Sequence, residues 1–234
     1  MPVAHAKRSL GKARTILVID VGGTHVKLEL SAPRRRCDFK SGRKLTAKAM
    51  VAKVRRLTDD WTYDVVSIGY PGPVAGNRPM AEPYNLGSGW RGFDFVKAFH
   101  RSAKVINDAA MQALGSYRGG RMLFLGLGTG LGSAMIIDGV IVPMELAHLQ
   151  YKKGKSFEHY LGSDGLRRSG LKKWRKHVAA VVKTLRAALE PEYVVLGGGN
   201  AKKVKKLPPR TQRGGNDKAF IGGIRLWEKP SSRA

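Results

Sequence analysis

The sequence predicts an α/β protein folded as two lobes around a shared cleft, and three observations lead there. A pattern of apolar strand, glycine turn and second strand occurs twice, in "TILVIDVGGTHVKLELS" and again in "MLFLGLGTGLGSAMIID". Short apolar runs alternate with segments of helical period, the order expected of an α/β chain. No low-complexity linker divides the chain, so two lobes sharing a cleft fit it better than independent domains.

Taken in order, "TILVID" (15–20) is rich in β-branched residues and stops at "GGT", and "VKLELS" (26–31) alternates after it, so the pair reads as a hairpin turning at Gly22 and Gly23. A basic stretch, Arg34 to Lys44, leads to the helical "AKAMVAKVRRLTDD". Next comes the buried strand "DVVSIGY" (64–70), broken by "PGPVAGNRP". "FDFVKAFH" reads as a short helix before the strand "AKVIND", and "DAAMQALGSYRG" (108–119) as a helix leading to "MLFLGLG" (122–128). After the glycine turn come "SAMIID" (133–138), a tight "DG" turn and "VIVP". Residues 150–170 read as polar and irregular. "LKKWRKHVAAVVKTLRAALE" (171–190) sets Leu171, Trp174, Val178, Val181, Leu185 and Ala188 on one apolar stripe. "YVVLGGGNAKKVKKL" reads as strand, glycine turn and basic helix, and "NDKAFIGGIRLWE" as a last helix despite its two glycines.

The chain has 43 Lys and Arg against 17 Asp and Glu, a formal charge of +26. Such a field calls for a polyanionic partner: nucleic acid, an anionic membrane surface or a phosphate polymer. One cysteine, Cys37, excludes an intrachain disulfide and a thiolate metal cluster, which suits a reducing cytoplasm. The N-terminal segment is charged and has no apolar core of a secretory signal, and no apolar run approaches the roughly 20 residues that span a bilayer. A cytoplasmic protein with no membrane partner is expected.

Three strands end in glycine turns: "DVGGT" (20–24), "GLGTGLG" (126–132) and "LGGGN" (196–200). Glycine lets backbone amides approach an anion without a Cβ in the way, and a Thr hydroxyl adds a donor. Each turn alone reads as well as a plain tight turn; three together, with Thr24 and Thr129 inside two, favour a phosphate site. Neither common nucleotide signature is present. The second loop lacks the Lys of a P-loop and runs into a strand where a dinucleotide fingerprint needs a helix.

"VINDAA" sets Asn107 and Asp108 at a strand end before a helix. That suits a polar ligand and a proton acceptor, and equally a simple helix cap. Glu145 and His148 stand three apart, with Glu158 and His159 ten residues beyond, and neither pair has the spacing of a known zinc motif.

In order along the chain, "IDVGGTHVKLEL", "GYPGPV", "NDA", "GTGLGSAMIIDG", "ELAHL" and "VVLGGGN" resemble the motifs of the ROK sugar kinases, in the actin, Hsp70 and hexokinase superfamily. The likeness runs from about Thr15 to Trp227 and is strongest to the compact polyphosphate glucokinase branch. It implies two ribonuclease-H-like lobes of the actin/hexokinase type: a small N-terminal lobe over 1–106, a large lobe over 107–215, and 216–234 as a C-terminal helix packing back on the first. It implies Asp108 as the base that activates the sugar 6-hydroxyl, with Asn85, Asn107, Glu145, His148 and Glu158 binding the sugar. The Glu-x-Gly-His motif reads "ELAH" here, with Ala147 where glycine is usual. Phosphate falls to Gly22, Gly23, Thr24, Gly128, Thr129, Gly130, Gly198 and Gly199, with Asp20 placing a hydrated Mg²⁺. The family's cysteine-rich zinc segment is missing, so no zinc is expected.

The resemblance further implies a kinase acting on glucose, with polyphosphate or ATP as donor, and a homodimer. Basic clusters after residue 150 suit a polymer of phosphates. Among them are Lys172 and Lys173 on one helix, and Lys202, Lys203, Lys205 and Lys206 on the next segment, read as a helix whose N-terminus favours anions. Two other readings stay open. One is an ATP-dependent kinase of glucose, mannose or fructose. The other is a sugar-responsive regulator binding nucleic acid; too few residues precede the first strand to form the helix-turn-helix such regulators carry, so no specific nucleic-acid partner is expected.

Overall fold

The computed structural model describes residues 14–215 and 217–228 of the chain. The N-terminal basic segment up to residue 13, and Asn216 and residues 229–234 of the expected C-terminal helical segment, lie outside the described residues.

The first lobe opens with the expected hairpin, β1 (Ile16–Val21) and β2 (His25–Leu30), and continues into β3 (Arg35–Lys40). Helix α1 (Ala47–Leu57) follows, its first turn capped by Thr46, whose hydroxyl accepts the Ala49 N–H at 3.1 Å. Strand β4 (Val65–Tyr70) leads to a small hairpin, β5 (Val74–Ala75) and β6 (Arg78–Pro79), then α2 (Phe95–Phe99) and β7 (Ser102–Asn107). The second lobe comprises α3 (Asp108–Ser116), β8 (Arg121–Leu127), β9 (Leu131–Ile137) and β10 (Val140–Met144). A 3₁₀ turn (Leu146–His148), a second small hairpin of β11 (Gln150–Lys152) and β12 (Lys155–Ser156), and α4 (Phe157–Leu161) come next. Helix α5 (Ser163–Leu189), β13 (Tyr193–Gly197), a 3₁₀ turn (Ala201–Lys203) and β14 (Thr211–Arg213) complete it, and α6 (Lys218–Arg225) returns to the first sheet.

The two main sheets share one topology. Their orders are β3-β2-β1-β4-β7 and β10-β9-β8-β13-β14, each with an antiparallel meander on one side and two parallel strands on the other. The repeated strand, glycine turn and strand of the sequence is therefore the start of each sheet.

Period two decides which side chains face which layer. On β1, Leu17, Ile19 and Val21 join the core under α1, with Met50, Val51 and Val54. Ile16 and Val18 point the other way, onto Ala219 and Phe220 of α6 and Met111 of α3. Asp20 shares that inner face. In the second sheet Leu123, Leu125 and Leu127 meet Trp174, Val178, Val181, Val182 and Leu185 of α5. The opposite face carries Phe124, Ala134 and Ile136 onto Ala109, Ala110 and Ala113 of α3. The layers thus run α1, first sheet, α6 with α3, second sheet, α5. Each large side chain of the α5 stripe contributes about 1.5–3 kcal/mol on burial.

Helix α6 contains glycines because it must approach two neighbours closely. A Cβ at Gly222 would meet the Met111 carbonyl of α3, and one at Gly223 the Val18 side chain of β1. Ser67 of β4 donates to the Gly223 carbonyl at 2.6 Å and accepts from Trp227 Nε1 at 2.8 Å, which fixes the helix on the first sheet.

Three sequence expectations are corrected. Residues 150–170 are regular, forming β11, β12, α4 and the first helical stretch of α5 from Ser163; Gly170, with φ 71° and ψ 161°, breaks that stretch, and the helix read from Leu171 follows the break. That break leaves Leu171 exposed at 40%, off the stripe assigned to it. The basic stretch includes β3, an edge strand on which only Phe39 is buried, its charges guarding an open edge. The segment after "GGGN" forms only a 3₁₀ turn, so the glycines stand at no α-helix N-terminus. Lys202, Lys203, Lys205 and Lys206 would repel at helical spacing, and Pro208 disfavours helix at Leu207.

Candidate active site

The first residue of α3, Asp108, sits where the two lobes meet. Its Cα lies 3.5 Å from where a Cβ at Gly69, on β4, would stand. One residue on, Ala109 packs against Gly132 of β9, just past the second glycine loop. The junction is close because both strands present glycine to the first turn of α3.

Asp108 keeps some exposed surface, but its carboxyl is enclosed by protein. Burial pushes it up to about 7, and the nearby charges of Asp20 and Glu145 add to the rise. The Ala109 N–H donates to Asp108 Oδ1 at 2.7 Å and works the other way. Asp20 is likewise raised by burial, with Lys27, its partner across the β1–β2 ladder, pulling it down. The charges of Asp20 and Glu145 thus both bear on Asp108, and neither Asp20 nor Asp108 has a salt-bridge partner among the described residues.

Asn107 caps α3. Its Oδ1 accepts from Ala110 N–H at 3.1 Å, while Nδ2 donates to the Gly72 carbonyl at 3.2 Å and ties the "GYPGPV" turn to the helix. The cap and ligand alternatives do not compete, since a carboxamide has a further donor and acceptor to offer. Asn85 packs against Gly23 in the first loop. Glu145 precedes a 3₁₀ turn that His148 ends, both exposed, with Ala147 buried between them at 3%. Ala147 has no positive φ, so alanine fits without backbone strain. A cavity of about 340 Å³ opens beside Asn107 and Glu145, walled by Val74 and Asn77 on one lobe and Ile141 and Met144 on the other.

The first and second glycine loops close the β1–β2 and β8–β9 hairpins, and the third follows β13. The N–H groups of Gly23, Thr24, Thr129, Gly130 and Gly199 donate to no backbone carbonyl among the described residues. Glu158 lies against the second loop: its Oε2 accepts the Leu131 N–H at 3.1 Å and occupies the space a Cβ of Gly130 would need.

No protein-family model matches the chain. A polyphosphate glucokinase of Mycobacterium tuberculosis is 27% identical over 159 residues, 62% of this chain and 59% of that relative, so the chain spans less than two thirds of its length. Among solved structures, the inorganic polyphosphate/ATP-glucomannokinase of Arthrobacter sp. strain KM superposes with a TM-score of 0.76 at 23% identity, over 91% of this chain and 98% of that one. A ROK family glucokinase from Streptomyces griseus, solved with glucose and AMPPNP, gives 0.72 at 16% identity over 91% and 98%. The two-lobed fold is that of the ROK sugar kinases.

Within this ROK fold the basic residues named from sequence fall on adjoining elements. Lys172 and Lys173 are exposed on α5, and Lys202, Lys203, Lys205 and Lys206 on and after the 3₁₀ turn. Arg175 Nε donates to the Lys203 carbonyl at 2.6 Å and Arg213 to that of Val204 at 2.7 Å, which joins the two runs. No helix among the described residues is long and apolar enough to cross a membrane, and no group of three His, Cys, Asp or Glu there could hold a metal.

Sequence reasoning missed Ser163 and Asn200, which bond the second loop. Asn200 carries a readable signal, since it follows "GGG" at a strand end. Ser163 carries none, because its partners are backbone carbonyls far away in sequence.

Proposed function

We propose that the chain is a glucokinase that transfers the terminal phosphoryl group of inorganic polyphosphate, or of ATP, to the 6-hydroxyl of glucose. The observation that carries this reading is Asp108, held between the lobes at the edge of the glycine loops with its pKa lifted to about 7. A general base works best when its pKa lies near the working pH, and an ordinary carboxylate falls about three units short of that.

In this mechanism Asp108 accepts the hydroxyl proton as the oxygen attacks phosphorus. Asn85, Asn107, Glu145, His148 and Glu158 hold the sugar, and Asn107 does so with the donor and acceptor its cap leaves over. The loops at Gly22 to Thr24 and Gly128 to Gly130 receive the transferring phosphate through the N–H groups of Gly23, Thr24, Thr129 and Gly130 and the Thr24 and Thr129 hydroxyls, since the Gly22 and Gly128 N–H groups donate to the His25 and Gly130 carbonyls; Gly198 and Gly199 face the remainder of the donor. Such a site works mainly by positioning and by meeting charge with oriented dipoles.

A buried Asp20, close enough to raise the Asp108 carboxyl by its charge and without a salt-bridge partner among the described residues, is excess negative charge that a hydrated Mg²⁺ held through water would offset. When bound, the ion would neutralise charge on the donor phosphates; Asp20 would hold it through water. The exposed lysines of α5 and of residues 202–206 would gather the polymer.

The test supplies purified protein with glucose and Mg²⁺ and either polyphosphate or ATP as sole donor. Glucose 6-phosphate from polyphosphate supports the reading. Product from ATP alone favours an ATP-dependent hexose kinase, and product from neither donor overturns both.

A further inference from the structure

The carbonyls of Gly128 and Thr129 attract several donors. The Ser163 N–H, at the start of α5, donates to both at 3.1 Å each. Ser163 Oγ donates to Gly128 O at 2.8 Å. Asn200 Nδ2 reaches the same oxygen at 3.3 Å and Ser163 Oγ at 3.1 Å, while the Asn200 N–H donates to Leu127 O at 2.9 Å. Gly162 allows this approach, because a Cβ there would stand 2.7 Å from Thr129 O.

A trans peptide is planar, with its C=O and N–H directed to opposite sides. Turning the Gly128 carbonyl toward Ser163 and Asn200 therefore turns the Thr129 N–H away from them. Holding the Thr129 carbonyl does the same for the Gly130 N–H. These are the two loop amides without a backbone acceptor. From the other side Glu158 takes the Leu131 N–H, so both flanks of the turn are fixed. The fixing matters because Gly126, Gly128, Gly130 and Gly132 leave the loop free to flip its peptides. A flipped peptide would aim a carbonyl oxygen, not an N–H, at an anion.

We propose that Ser163 and Asn200 are positioning residues of the phosphate site: they hold the Gly128 and Thr129 carbonyls inward and so present the Thr129 and Gly130 amides to the donor phosphate. This rests on the reading of the loop as the donor site given above. Neither residue touches the phosphate; each acts through a peptide plane.

The experiment compares wild type with Ser163→Ala, Ser163→Thr, Asn200→Ala and Asn200→Asp. It measures polyphosphate affinity by calorimetry, steady-state transfer to glucose, glucose affinity and Tm. Losing a donor to the clamp is expected to weaken polyphosphate binding and raise its KM by about tenfold, the equivalent of one lost hydrogen bond of ~1.4 kcal/mol. Glucose affinity should stay within twofold. Ser163→Thr should restore the wild-type values, since it keeps the hydroxyl. Asn200→Asp should lose more than Asn200→Ala, because a carboxylate cannot donate and opposes both the carbonyl and the phosphate. Unchanged polyphosphate affinity in both alanine variants overturns the proposal. So does a parallel fall in glucose affinity and Tm, which would mark a merely structural role. If wild type binds polyphosphate but transfers nothing to glucose, the kinase reading fails while the affinities still judge the clamp; if it binds none, both fail.

Discussion

Gly222 of α6 lies so close to Met111 of α3 that a Cβ on the glycine would stand 1.8 Å from the Met111 carbonyl oxygen. Gly115 of α3 returns the contact, its own Cβ position falling 1.8 Å from the Lys218 carbonyl. Two effects of Gly222→Ala therefore oppose each other. Alanine favours the helix by about 0.5–1 kcal/mol. Forcing two backbones apart costs about 1–3 kcal/mol or more, because the neighbour is a carbonyl and not a yielding side chain. The clash wins, and Tm is expected to fall by roughly 2–4 °C per kcal/mol for a domain of this size. A melting curve at or above wild type would show that the helices can separate freely.

The helix that Gly222 supports begins with Asp108, which makes the next prediction a separate one. Asp108→Asn keeps the shape and removes the proton acceptor. Glucose phosphorylation should drop by about 10²- to 10⁴-fold, the usual worth of a positioned base. Glucose binding, followed by calorimetry, should survive within a few-fold. Retention of more than a tenth of the wild-type rate would sink the assignment of Asp108.

The same carboxyl sets a pH dependence. The proposed base must be ionised to accept a proton, so kcat/KM for glucose should rise with pH through about 7 and level off above, a rise absent from the residual rate of Asp108→Asn. Stability goes the other way. Unfolded, the group ionises near the ordinary aspartate value, and folded it does so near 7, so between these values the folded state holds more protons. Its contribution is complete below about 4 and is lost as pH rises to 7. Asp108→Asn should therefore raise Tm at pH 8 relative to wild type and leave it nearly unchanged at pH 4, each kcal/mol being worth about 2–4 °C. Equal shifts at both pH values would refute this.

Much of this fold was legible because burial writes a period into the sequence. The β1–β2 hairpin and the stripe of Trp174, Val178, Val181 and Leu185 face cores, and their spacing says so. Strand β3 has almost no buried side, so "RRCDFK" shows only charge. The turn after "GGGN" reads as helix by pattern and is stopped by its own lysines and by Pro208. In the candidate site, the glycine turns and Asp108 are visible because few residue types suit the roles proposed for them. The clamp from Ser163 was hidden, since a serine bonding a distant carbonyl looks like any other serine. The split role of Asn107 was hidden for a related reason: only geometry shows that capping uses half of its carboxamide.

The last prediction concerns the lysines that follow Asn200. Lys202, Lys203, Lys205 and Lys206 are exposed, and the adjoining α5 adds Lys172 and Lys173. Exposed ionic contacts are worth about 0.2–1 kcal/mol each. Replacing all four lysines of the run by glutamine should then raise the KM for long-chain polyphosphate by between about fourfold and several-hundred-fold. On the proposed reading a short donor such as tripolyphosphate or ATP would engage the glycine loops and reach few of these side chains, so its KM should change by less than twofold. Salt provides an independent check. Each cation that neutralises a phosphate adds to the slope of log affinity against log salt, so the variant should show a shallower slope with the long polymer. Equal losses for long and short donors would place these lysines at the reacting phosphate instead of along the chain that feeds it. No loss for either would leave them outside donor binding altogether, and the charge of +26 would then serve some other anion.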